Sequence, residues 1–155
     1  MTTSTRFAVA VHILTGLAVH ENVPLTSEII SRSASTNPSV IRRIMSTLNE
    51  AGFSHSQLGK GGGALLAKPA DQITLLDVFR AVETASIFAL HRTAPDVGCA
   101  IGKYIQPILQ EKMDIATAAL ELELSKVTIA DIAAQIEESG RVCPDLIASL
   151  NKTRV

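Results

Sequence analysis

Hydroxyl and guanidinium side chains are spaced along one short segment so that they share a single helix face. Asn37 followed by Pro38 predicts the start of a helix, and Gly52 predicts its end. Its apolar stripe consists of Ile41, Ile44, Met45 and Leu48. The side chains left facing outward are Ser39, Arg42, Arg43 and Ser46. Such side chains hydrogen-bond to base edges and phosphates when a helix lies in the major groove of DNA, although this pattern is also typical of a solvated helix face.

The neighbouring segments favour the DNA-binding interpretation. Thr26 predicts the cap of a preceding short helix, from Ser27 to about Ser33, so two helices follow each other as in a helix-turn-helix. A strand at 53–57, a glycine-rich turn at 59–63 and a return strand at 64–67 then predict a β-hairpin. Lys60 and Gly61 lie at its tip, where a charge and a small residue suit contact with phosphate. A nucleotide-binding glycine loop is the alternative, but the G-x-x-x-x-G-K-[ST] order is missing.

The remaining helices are predicted to hold this head and to pair it with a second copy. Ser4 predicts the cap of a first helix that is apolar on all sides, and Thr74 with Asp77 opens a later one. Beyond them, apolar residues recur every seven positions at Ile101, Ile108, Ile115 and Leu122. Pro107 is expected to kink this long helix or to mark its start, and Thr128 to cap a last helix ending near Ser139. Pairing of the long helix in a homodimer is one expectation, and folding back onto its own head is the other.

Composition limits the domain organisation. The 155 residues, 46% of them hydrophobic, suffice for one small head with an added oligomerisation helix. We predict a mainly α protein with a β-hairpin wing, divided into a winged helix-turn-helix domain at 1–83, a connecting or sensor loop at 84–98, dimerisation helices at 99–140 and a tail at 141–155. Residues 1–60 carry two more positive than negative charges, and residues 61–155 carry three more negative than positive charges. With no apolar run of eighteen residues and no export signal, a cytoplasmic protein without membrane contact is expected.

Five segments resemble the Rrf2 family of transcription regulators, in a branch that lacks the three-cysteine cluster motif. They are RFAVAVHIL at 6–14, TNPSVIRR at 36–43, GGGA at 61–64, ITLLDVFRAV at 73–82 and CAIG at 99–102. The resemblance implies a winged-helix head, a long helix that crosses to the partner subunit, and binding to a palindromic operator in double-stranded DNA.

The resemblance also implies roles for individual residues. The recognition helix would be 38–51, and roles at the groove or at phosphates would fall to Thr36, Asn37, Ser39, Arg42 and Arg43. Leu58 departs from the family, in which an arginine often precedes the wing glycines, so Lys60 is left to supply part of that contact. Several members hold an iron-sulfur cluster through three cysteines ahead of the long helix, where this chain has Cys99 alone. We therefore expect neither a cluster nor another cofactor or metal.

The two cysteines suggest how such a regulator would be controlled. Cys99 is predicted in the first turn of the long helix, where backbone N–H groups and Lys103 would favour the thiolate, and Cys143 is a candidate resolving partner. The alternatives are that both are small buried apolar residues, or that a small molecule binds in a pocket between the head and the long helix. An oxidant, an electrophile or a small molecule is therefore the expected effector. Nucleophile-base pairs, catalytic acid pairs and cofactor loops are not recognisable, which argues against an enzyme.

Overall fold

The computed structural model describes residues 4–139, which form six α-helices and one β-hairpin. In chain order the elements are α1 (Arg6–Val19), α2 (Ser27–Ser33), α3 (Pro38–Glu50), β1 (Ser54–Gln57), β2 (Gly63–Leu66), a short 3₁₀ turn (Ala70–Gln72), α4 (Leu75–Val82), α5 (Ala100–Ser125) and α6 (Ile129–Glu138). This arrangement confirms the predicted mainly α fold with a hairpin wing and a long helix.

Helix α1 lies at the centre of the head. Ala10, Ile13, Leu14 and Leu17 are buried in it, because α3, α4, α6 and β2 all pack around this helix. The predicted cap is displaced by one residue: α1 begins after Thr5, which makes no side-chain cap bond. The Ser4 hydroxyl instead accepts from the N–H of Arg6 at 3.3 Å and donates to Glu83 at 2.7 Å. Ser4 thus fastens the start of α1 to the residue that follows α4.

Helices α2 and α3 form the predicted helix-turn-helix, and local hydrogen bonds fix where each begins. The Thr26 hydroxyl accepts from the N–H of Ile29 at 3.4 Å, and the Asn37 side chain accepts from the N–H of Ser39 at 2.8 Å. Ile41, Ile44 and Leu48 are buried and Met45 is half-buried. The apolar stripe therefore holds α3 against α1 and leaves its other side outward.

The hairpin is joined to the head by a third backbone segment. Ser54 pairs with Leu66 and Gln57 with Gly63. The first strand begins one residue later than predicted and ends at Gln57 as predicted, and the second strand begins and ends one residue earlier. Leu25, just before α2, forms an antiparallel bridge with Ala64: each N–H donates to the other's carbonyl, at 3.1 and 2.8 Å. This bridge fixes the base of the wing beside the start of α2.

Helices α4 and α6 begin side by side. Thr74 with Asp77 and Thr128 with Asp131 each form a capping box, in which the hydroxyl and the carboxylate satisfy backbone N–H groups reciprocally. Thr74 and Thr128 form an antiparallel bridge between the two helix starts. The sequence predicts α6 as one of the dimerisation helices, but in the subunit its Ile129 and Ala133 are buried against the head.

Helix α5 runs unbroken for 26 residues and has no buried residue. Pro107 lies inside it and does not mark its start. Thr117 and Glu121 are half-buried on the side toward α4, where Arg80 donates to the Glu121 carboxylate at 2.8 Å. On the opposite side the residues of the seven-residue repeat are exposed, Ile101 by 74%, Ile108 by 54%, Ile115 by 59% and Leu122 by 58%. The subunit thus leaves this apolar stripe uncovered. Among the helices of residues 4–139, none combines the length and the apolar character that a membrane span requires.

Candidate nucleic-acid interface

The outward side of α3 carries the polar residues that the sequence predicts there. Ser39, Arg42, Arg43 and Ser46 are all exposed. Residues 42 and 43 are separated by about 100° around a helix, so their guanidinium groups point to different flanks. We call these four residues the recognition surface. It offers hydroxyl and guanidinium donors, which are the groups that hydrogen-bond to base edges and phosphates.

Arg42 is held in place by three neighbours. Its guanidinium donates to the Glu28 carboxylate at 3.1 Å, to the Ser27 hydroxyl at 3.3 Å and to the Ser39 hydroxyl at 3.4 Å. The pKa of the Glu28 carboxyl lies below its usual value, chiefly because the Glu28 backbone N–H donates to it. The hydroxyls at the start of α2 and the charge of Arg42 lower this pKa further. Both side chains are more than half exposed, so this pair contributes no more than about 1 kcal/mol and exchanges readily for another partner of Arg42. Glu28 could not be predicted from the sequence, because its proximity to Arg42 arises only from the packing of α2 on α3.

Asn49 connects α3 to the wing. Its side chain hydrogen-bonds with the hydroxyls of Ser54 and Ser56 in β1, at 3.0 Å for Ser56. The alternative amide orientation keeps both partners and adds the carbonyls of Met45 and Ser54. Because Ser54 is buried, its hydroxyl needs such a partner, and the contact sets the angle between α3 and the hairpin.

A groove of about 460 Å³ separates α2, α3 and the wing. Its polar lining includes Glu28, Arg42, Ser46, Asn49, Ser56 and Gln57. The recognition surface and the wing therefore border one concave region instead of two separate faces.

The remaining predicted contact residues lie around this region. Lys60 and Gly61 are exposed at the tip of the hairpin, and Leu58, at the position where the family often has arginine, is 91% exposed. Asn37 is exposed, but its side-chain oxygen already accepts the capping hydrogen bond. Thr36 is half-buried, and its N–H donates to the Ser31 carbonyl at 3.0 Å. The DNA-contact roles of these residues stay predictions.

The glycines of the hairpin are required by the fold of the chain itself. Gly59 and Gly61 have φ values of +96° and +87°, which favour glycine. A Cβ atom on Gly62 would overlap the Gln57 carbonyl oxygen, and one on Gly63 would lie 2.7 Å from the carbonyl oxygen of Leu25. The sequence predicts that these glycines allow a close approach to a ligand. In the structure they allow a close approach to the backbone of the protein itself.

Cys99 is exposed and is the N-cap residue of α5. It therefore lies just before the first turn of this helix and not within it as predicted. Backbone N–H groups of Gly102 and, to a lesser degree, Ile101 lower the pKa of its thiol. Lys103, expected to add a positive neighbour, has its ammonium 5.1 Å from the centre of the Tyr104 ring. Cys143 lies outside the described residues.

The small-molecule alternative requires a cavity between the head and α5. Three cavities of the described residues, of about 760, 460 and 310 Å³, are lined by residues of the head and of α6, and by none of α5. The pocket predicted between head and long helix is not among them.

The chain matches a known protein family over most of its length. The family described as "Rrf2: Iron-dependent Transcriptional regulator" matches residues 3–135. The donor atoms of this chain do not suit the iron-sulfur cluster that several members hold through three cysteines, since the sequence has only Cys99 and Cys143. Within residues 4–139, no three histidine, cysteine or carboxylate side chains are placed to hold a metal ion together. His12 hydrogen-bonds to the Ser33 hydroxyl at 2.8 Å, and burial lowers the pKa of its imidazole.

Individual relatives agree with the family match. YwnA of Bacillus subtilis (strain 168) is 40% identical over 130 residues, which cover 83% of this chain and 95% of YwnA. Among solved structures, IscR of T. potens has a TM-score of 0.69 at 21% identity and covers 90% of both chains. CymR, the global cysteine regulator of B. subtilis, has a TM-score of 0.64 at 20% identity and covers 87% of this chain and 98% of its own. These two structures share the fold described above. The helix-turn-helix, the wing, the long helix and the family match together show that the chain belongs to the Rrf2 family of transcriptional regulators.

Proposed function

We propose that this regulator acts in the cytoplasm as a homodimer that binds a palindromic operator and represses transcription from it. The observation that carries the proposal is the recognition surface: four exposed donor side chains on a helix whose other side is buried, beside a hairpin that borders the same groove. A helix of this kind fits the major groove, and the wing then lies along the neighbouring backbone.

The uncovered stripe of α5 supports the dimer. Four apolar residues repeat at seven-residue intervals and are all more than half exposed, while the opposite side of α5 contacts its own subunit. A second copy of α5 offers an identical stripe, and a two-fold axis between the copies would bury both. Two-fold symmetry of the protein implies an inverted repeat in its DNA site.

Selection from genomic DNA with the purified protein tests this proposal. We expect an inverted repeat to be enriched, and Arg42→Ala or Arg43→Ala to weaken binding to it by about 1–3 kcal/mol each. Arg92→Ala removes the same charge from the exposed loop ahead of α5 and serves as the control. Enrichment of no sequence, or unchanged affinity of both variants at two salt concentrations, would refute the proposal.

Oxidation of Cys99 is the form of control that we propose for this regulator. An exposed thiol whose pKa is lowered by backbone N–H groups reacts readily with peroxides. The thiolate attacks one oxygen of hydrogen peroxide, the O–O bond breaks, hydroxide leaves, and Cys99 becomes a sulfenic acid. A second thiol, from Cys143 or a small cellular thiol, then attacks this sulfur, which forms a disulfide and releases water.

Mass spectrometry after mild peroxide treatment, combined with operator titration, tests this form of control. We expect modification of Cys99 to accompany a change in operator affinity, and Cys99→Ser to abolish the change. If operator binding responds to peroxide while Cys99 remains unmodified, Cys99 is not the sensor. An unaltered response of Cys99→Ser to its effector in cells would favour the small-molecule alternative.

A further inference from the structure

A second cationic feature flanks α3 on the side away from Glu28. A cleft of about 310 Å³ lies between the start of α1, the middle of α3 and the end of α4. Its polar lining consists of Arg6, Arg43, Thr47 and Thr84, and the buried side chains of Ile44 and Val82 belong to its apolar part. Three segments that are distant in sequence therefore bring two guanidinium groups and two hydroxyls to one concavity.

The charges of this cleft are available for a ligand. Arg6, Arg43 and Thr84 are exposed, and neither arginine takes part in an ion pair within residues 4–139. Arg42 and Arg80, in contrast, are both paired with glutamates. Glu83 directly precedes Thr84 in the sequence, and its carboxylate accepts a hydrogen bond from the Ser4 hydroxyl. This bond helps to join α1 to the end of α4. The Thr47 hydroxyl donates to the Arg43 carbonyl at 3.3 Å, within its own helix.

The position of the cleft indicates which anion it would take. A helix in the major groove has a phosphate backbone along each flank, and Arg42 and Arg43 point toward opposite flanks of α3. Guanidinium groups bind phosphate oxygens in bidentate geometry, and hydroxyls complete such sites.

We propose that Arg6, Arg43 and the Thr84 hydroxyl bind one backbone phosphate of the operator in this cleft. The inference rests on the proposed DNA-binding function and adds to it two residues, Arg6 and Thr84, that lie outside the helix-turn-helix and the wing. Arg6 contributes affinity and register here, and no base discrimination, because phosphates carry no sequence information.

Double-mutant analysis between the protein and the DNA backbone tests this assignment. Arg6→Gln is titrated against the selected operator and an unrelated duplex, with Arg92→Gln as the charge-matched control. We expect Arg6→Gln to weaken binding to both duplexes by a similar factor, about tenfold at low salt, and to reduce the slope of log affinity against log salt by about 0.9. Arg92→Gln should leave both quantities near those of the original protein.

Methylphosphonate substitution, which removes the charge of one phosphate at a time, then locates the contact. At one position in each half-site, neutralisation should weaken binding of the original protein by a larger factor than binding of Arg6→Gln, in which Arg43 and Thr84 are the contacts that remain. Additive losses at every phosphate would overturn the inference, as would saturation of the cleft by micromolar inorganic phosphate without any such coupling. If the original protein binds no DNA, the proposed function itself fails; if it binds DNA and Arg6→Gln binds equally well, only the phosphate site fails. Thermal unfolding of each variant checks that the fold is retained.

Discussion

Ile108→Glu is expected to convert the protein into a monomer that no longer binds its full operator tightly. Ile108 is 54% exposed in the middle of the α5 stripe, and a symmetric partner would cover it. Two glutamates would then be buried at the interface, one from each subunit. Because the penalty for burying an unpaired charge is several kcal/mol, the dimer dissociation constant should rise at least about a hundredfold. The isolated subunit should lose little stability, since this side chain contributes nothing to the buried core.

Sedimentation equilibrium and operator titration measure the two effects together. We expect Ile108→Glu to sediment as a monomer at micromolar concentration and to bind a full palindrome no better than a single half-site. Gln110→Glu introduces the same residue two positions away, on the polar side of α5, and should remain dimeric. A dimeric Ile108→Glu protein would show that the stripe is not the subunit interface.

Gly63→Ala is expected to destabilise the head and to displace the wing. The added methyl group would lie 2.7 Å from the carbonyl oxygen and 3.0 Å from the backbone nitrogen of Leu25, and backbone atoms cannot move aside as a flexible side chain can. The bridge between Leu25 and Ala64 must therefore open, although both residues are buried. We expect a loss of about 2–4 kcal/mol in the free energy of unfolding, with a corresponding loss of operator affinity.

Gly16→Ala is a matched control because its added methyl group would also meet Leu25. The contact there is 3.7 Å from the Cδ1 atom of the Leu25 side chain, which is ordinary van der Waals distance. Gly16 lies inside α1, where alanine is favoured over glycine by about 0.5–1 kcal/mol. Urea denaturation should place the two variants on opposite sides of the original protein, and equal stabilities would contradict the steric argument.

The helix boundaries could be predicted where a cap residue determines them locally. Thr26, Asn37, Thr74 and Thr128 all accept the expected backbone hydrogen bonds, so α2, α3, α4 and α6 begin where the sequence indicates. Helix α1 begins after Thr5, one residue later than a cap at Ser4 predicts, and Ser4 bonds to Glu83, which is 79 positions away in the sequence. Pro107 does not mark the start of α5, which continues on both sides of it, and a kink at this residue stays a prediction.

The composition of the candidate site was less predictable than its central helix. The outward set on α3 follows from helical periodicity, and all four residues are exposed as expected. The fold brings together residues that are 5 to 37 positions apart: Glu28 and Arg42, Asn49 and its two serines, and the two arginines that line one cleft, Arg6 and Arg43. No periodic pattern encodes such contacts. The glycine run lies in the hairpin as predicted. That Gly63 has to be glycine because it packs against the Leu25 backbone could not be predicted, since this too is a contact between residues distant in sequence.

The paired starts of α4 and α6 limit how this protein can change shape. The Leu75 N–H donates to the Val127 carbonyl at 2.8 Å and the Ile129 N–H to the Ile73 carbonyl at 2.9 Å, so the C-terminal end of α5 is clamped to the head within a few residues of Ser125. Bending one subunit at this point would break both bonds. In the proposed dimer, a signal that alters the separation of the two heads would therefore have to turn whole subunits about each other, with each α5 acting as a rigid arm. Helix α5 is about 39 Å long, so its rotation by about 10° around its midpoint would move a head by about 3 Å, roughly one base-pair step.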